Sequence, residues 1–239
     1  MRRGFYVAFG AVATLVASCL ISIADTQPPA TKMALPAGPS STPAPADDTK
    51  TDSIQPSAKV LGFRSALFGA SEADVRTAIA KDFGLPSSAI RKTQNLSDRT
   101  DVLTIRVPDV LAGGGSADVA YALGYRTKKL IQVSVIWSKE SDKALTPERV
   151  LANCESLKDY FQAAGYEPKT IAVNSATRDG ILLFRGADPE GHTTALMLHG
   201  ATTPSQDKAT QTFVPNALFL FYIADPKAPD VFKIAAGRF

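Results

Sequence analysis

The chain has 239 residues, 45% of them hydrophobic and 21% charged, with 26 basic and 23 acidic side chains and a formal charge of +3. A targeting segment and a linker set aside, about 180 residues remain, enough for one medium domain or two small fused ones whose core needs no covalent staple. The charge falls to +1 without Arg2 and Arg3, and no basic block occurs, so nothing electrostatic favours nucleic acid or an anionic membrane surface as partner.

Arg2-Arg3 lead into an apolar run from Gly4 to Ala24, the layout of an export signal. Ser22 and Ala24 supply the small residues that a signal peptidase reads, which places the cut before Asp25. Two alternatives accompany that reading. Val16-Ala17-Ser18-Cys19 resembles a lipoprotein box with Cys19 as the lipidation site, although Leu20-Ile21 prolongs the apolar run past it. An uncleaved anchor is the other, since about 20 apolar residues span a bilayer. Each outcome puts the remainder in the periplasm or outside the cell, possession of a membrane contact being confined to residues 1–24. Residues 25–58 follow as a tether, with Pro28, Pro29, Pro36, Pro39, Pro43, Pro45 and Pro56 among small polar residues.

In the folded part, Ser71 caps a helix with Glu72 and Asp74 in its first turn, and Val75, Ile79 and Phe83 form the buried face. Gly84 and Pro86 stop it. Four strand-like runs come next: Ala89 to Gln94, Val102 to Val107, Asp118 to Tyr125 and Leu130 to Trp137. About 75 residues after Ser71 the cycle restarts, with Thr146 as cap, Pro147 at the first helical position, and Val150, Cys154, Leu157 and Phe161 on one face up to Gly165. Four further runs cover Thr170 to Asn174, Ile181 to Ala187, Thr193 to Ala201 and Ala217 to Ala224. The pattern predicts an α+β fold of two tandem helix-plus-four-strand antiparallel units, 59–145 and 146–239, with sheets joined edge to edge and helices on one face.

The run Gly62-Phe63-Arg64-Ser65-Ala66-Leu67-Phe68-Gly69-Ala70-Ser71-Glu72, with Asp82-Phe83-Gly84 after the helix, resembles the opening of a group of uncharacterised secreted proteobacterial proteins. Their unit is similar to the modules of the beta-lactamase inhibitor protein and of the outer-membrane assembly lipoprotein BamE. The resemblance covers about Gly62 to Trp137, and no Phe-Gly precedes Thr146. It implies binding to other proteins rather than catalysis, and it carries no contact residues over.

Candidate chemistry is sparse. Cys154 lies on the buried helical stripe, where a thiol acts as a small hydrophobe. His192 follows the turn Asp188-Pro189-Glu190-Gly191, and His199 sits at the far end of the same predicted strand, roughly 23 Å away on the opposite face. The two cannot share an ion, so no metal or other cofactor is expected. Gly113-Gly114-Gly115-Ser116 lacks the residues of a phosphate loop and reads as a hairpin loop. Asp98, Asp101, Asp225 and Asp230 read as turn formers.

With one sheet face open, Tyr121, Tyr125 and Trp137 are the expected anchors, rimmed by the Gly113 to Gly115 and Thr202 to Thr212 loops. The function expected is a secreted or membrane-tethered periplasmic binding module, non-catalytic, for a protein or envelope component. The alternatives are an envelope hydrolase using Cys154 or a histidine, and a structural envelope lipoprotein.

Overall fold

The computed structural model describes residues 57–177, 180–204, 211–234 and 237. The expected export segment, Cys19 and nearly all of the Pro-rich tether lie outside the described residues. Among the described residues no helix is long and apolar enough to cross a membrane.

A small hairpin, β1 (Gly62–Phe63) with β2 (Ala66–Leu67), leads into α1 (Glu72–Phe83). Ser71 begins this helix with a reciprocal cap: its hydroxyl accepts from the Asp74 N–H, and the Asp74 carboxylate accepts from the Ser71 N–H. Gly84 ends it at φ 65, a left-handed geometry that costs least without a Cβ. A meander follows, β3 (Arg91–Asn95), β4 (Thr100–Val107), β5 (Ala117–Leu123) and β6 (Leu130–Ser138). The second cycle opens with α2 (Pro147–Ala163), where Thr146 accepts from the Arg149 N–H and Pro147 fills a position that needs no donor. It continues through β7 (Ala172–Thr177), β8 (Gly180–Ala187), β9 (Thr193–Pro204) and β10 (Gln211–Ile223).

Two strands start later than their sequence pattern predicts. Short 3-10 turns at Ser87–Ala89 and Pro168–Thr170 take up the residues in front of β3 and β7. At the other end of the cycle, β9 and β10 run longer than expected. Gln211 pairs with Pro204 and Thr212 with Thr203, so strand replaces much of the loop expected at Thr202 to Thr212, and 205–210 lie outside the described residues. The Gly113 to Gly115 loop is pinned as well: Asn153 of α2 donates to the Gly114 carbonyl at 2.9 Å.

All eight long strands form one antiparallel sheet in the order β3-β4-β5-β6-β10-β9-β8-β7. The last strand of each meander is therefore central, and the two meanders join through β6 and β10, with Trp137 opposite Leu218 and Val135 opposite Leu220. β10 can occupy the centre because it is apolar on both faces. Leu218 and Leu220 belong to the main core, which also takes Val75 and Ile79 from α1 and Val150, Cys154 and Phe161 from α2. Both helices thus cover the same face. Ala217, Phe219, Phe221 and Ile223 point the other way and form a second cluster with Leu182, Ala195 and Met197, drawn from strand residues alone.

Candidate functional site

The β8–β9 turn gathers the one group of metal-ligating side chains found among the described residues. Asp188, Glu190 and His192 bring their ligand atoms within 4.8 Å of one another. The turn is built by Asp188. Its Oδ1 accepts from the N–H groups of Glu190 at 3.0 Å and His192 at 2.9 Å, while its own N–H donates to the His192 carbonyl. Pro189 presets the turn, and Gly191 at φ 91 takes the left-handed position that returns the chain to β9.

The second carboxylate oxygen of Asp188 has a different set of neighbours. Oδ2 accepts from the N–H of Val60 at 2.9 Å, across 128 residues of sequence. It also lies 3.3 Å from His192 Nδ1, which is 3.8 Å from Glu190 Oε2. A carboxylate offers about four lone-pair positions. Three of those on Asp188 are taken by backbone donors, which leaves one on Oδ2, the oxygen near the imidazole. His192 Nδ1 is itself buried and has no hydrogen-bond partner among the described residues. The ring is held by packing instead, with its centroid 5.3 Å from that of Phe68 just after β2.

One imidazole and two carboxylates suit Zn²⁺ or Mn²⁺, and three protein ligands leave a coordination position open for water or substrate. Glu190 is the exposed member, with a side chain 65% accessible, whereas the Asp188 side chain is fully buried. A cavity of about 700 Å³ adjoins the cluster and shares Asp188 and Glu190 with it. Its other charged walls are Glu167, Lys169, Arg185 and Lys227.

This cluster corrects the expectation of a non-catalytic module without a metal site. The sequence shows two histidines too far apart to share an ion and no carboxylate cluster at ligand spacing, and the turn overturns the second point. Spacing i, i+2, i+4 in an irregular turn gives no periodic signal, and Asp188 and Glu190 look like ordinary turn residues. His199 indeed lies elsewhere, with its ring 4.4 Å from that of Phe219 on the opposite face of the sheet from the helices.

The remaining candidates fall into the scaffold. Tyr121 is 0% exposed and Trp137 1%, both in the core under the helices, so neither offers a surface to a partner. Tyr125 lies just past β5 and packs edge-on against Phe232 at 5.5 Å. Asp98, Asp225 and Asp230 serve turns: Asp225 accepts from the N–H groups of Lys227 and Ala228, and Asp230 from those of Arg126 and Thr127. Asp101 pairs with Lys92 and Lys128.

Cys154 is buried, and burial pushes its thiol up to about 12. A thiolate is therefore not available at neutral pH, which removes the cysteine arm of the hydrolase alternative. In native protein at pH 8, Cys154 is expected to react with a thiol reagent on the timescale of unfolding, and its labelling within seconds, located by peptide mass, would contradict this assignment.

Fold and cluster together define an α+β protein with a candidate divalent-metal centre at one end of its sheet. Against protein-family models, curated proteins and solved structures, the chain has no match.

Proposed function

We propose that the protein is a metal-assisted hydrolase whose centre is the β8–β9 turn. The observation that carries this reading is the convergence of Asp188, Glu190 and His192 within 4.8 Å, beside a cavity large enough for a small substrate. Asp188, Glu190 and His192 would hold a divalent ion, which would supply Lewis acidity and an acidified water there. The protein's own residues do the rest. Asp188 is fixed by three backbone donors and orients its free lone pair, His192 presents a buried nitrogen, and Glu190 reaches in from solvent. In the reaction one water adds across an ester or amide bond: its oxygen bonds to the acyl or phosphoryl centre, and its proton leaves with the departing group.

Ligation needs the unprotonated imidazole, so metal affinity falls as the pH is lowered. The test is calorimetric titration of the purified chain with Zn²⁺ and Mn²⁺, followed by assay against chromogenic carboxylic and phosphoric esters. One ion per chain and hydrolysis that is lost on chelation and in His192→Ala are the expected results. A folded chain that takes up no ion, or hydrolysis indifferent to chelation, overturns the reading.

A further inference from the structure

We propose that the cavity beside the turn is a metal-gated subsite for a phosphate group, with Arg185 as its principal anchor. The proposal rests on the metal reading above and deepens it to a substrate class. Arg185 projects from β8 opposite Ala195, half-buried, and makes no hydrogen bond or ion pair among the described residues. A guanidinium carries five donors and a permanent charge, so a half-buried one without a carboxylate is a strong recruiter of oxyanions. Across the same cavity stands Lys227, exposed and likewise without an ion pair among the described residues. Lys169 is already engaged, 3.4 Å from Glu167.

Charge counting over the cavity wall sets the ligand and its condition. Without an ion, Glu167, Asp188 and Glu190 balance Lys169, Arg185 and Lys227, and the cavity is neutral. A divalent ion on Asp188 and Glu190 cancels those two carboxylates, and Lys169 is already matched by Glu167. Arg185 and Lys227 are then left as two unmatched positive charges on the cavity wall. That pattern fits a phosphate monoester dianion better than a carboxylate, which carries one charge. Metal and anion therefore bind with positive coupling, each raising the affinity for the other.

The experiment is calorimetry on the full chain in two stages, first with Mn²⁺ alone and then with phenyl phosphate or benzoate, with and without Mn²⁺. Phenyl phosphate is expected to bind about tenfold or more tightly with the ion present, and more tightly than benzoate. Arg185→Gln is expected to lose about tenfold or more of that phosphate affinity while leaving Mn²⁺ binding unchanged. Lys227→Ala, on an exposed loop where folding is not at stake, is expected to lose a smaller share. If Mn²⁺ does not bind at all, the hydrolase reading and its gating fail together. If Mn²⁺ binds but phosphate affinity ignores the ion, or survives intact in folded Arg185→Gln and Lys227→Ala, the subsite alone is overturned and the metal centre stands.

Discussion

Asp188→Ala lowers the unfolding free energy by about 2 to 5 kcal/mol and abolishes ion binding, whereas His192→Ala abolishes ion binding at a cost of about 1 kcal/mol. The difference follows from what each side chain holds. Removing the Asp188 carboxylate deprives the N–H groups of Val60, Glu190 and His192 of their acceptor. A buried donor left without a partner costs about 1 to 3 kcal/mol, and the more exposed of the three recover part of that from water. His192 Nδ1 makes no hydrogen bond among the described residues, so its loss leaves no orphan there, only a gap beside Phe68. Urea unfolding and calorimetry on the same two variants measure both quantities. An Asp188→Ala protein as stable as its parent would show that the turn does not depend on its carboxylate.

Trp137→Ala is expected to cost about 3 to 5 kcal/mol, the range for deleting a large buried side chain. Trp137 lies on a central strand opposite Leu218, is 1% exposed, and its indole Nε1 has no hydrogen-bond partner among the described residues. No polar contact is thus lost on substitution, and Trp137→Phe retains most of the stability, costing about 1 to 2 kcal/mol. A surface anchor behaves in the opposite manner, with alanine leaving the melting curve in place. A Trp137→Ala midpoint equal to that of the parent would return this residue to the surface.

Local signals made much of the fold legible. The caps at Ser71 and Thr146, the stop at Gly84 and the alternation in β5 and β6 are set by hydrogen bonds and side-chain directions within a few residues, so sequence spacing reports them directly. A strand apolar on both faces, as β10 is, has to be covered on both, and its central place between the two meanders meets that need. Alternation could not say which face the helices would cover, and Tyr121 and Trp137 went under them for that reason. The candidate site was the least visible part. Asp188, Glu190 and His192 sit close in sequence, but their convergence depends on backbone donors that fix one carboxylate, and one of these, Val60, arrives from the far end of the folded chain. That Arg185 has no ion pair among the described residues is equally invisible to a linear pattern, since it depends on which carboxylates the fold brings within reach of β8.

The Val60 hydrogen bond has a practical corollary for how the protein is cut. Ser57 and Ala58 are clamped by the Gly165 carbonyl, and two residues later the same strap reaches Asp188. A version that starts at Leu61 keeps both helices and every long strand yet frees one lone pair of that carboxylate. Proteolytic removal of Val60 would thereby retune the affinity of the proposed centre without removing any of its ligands.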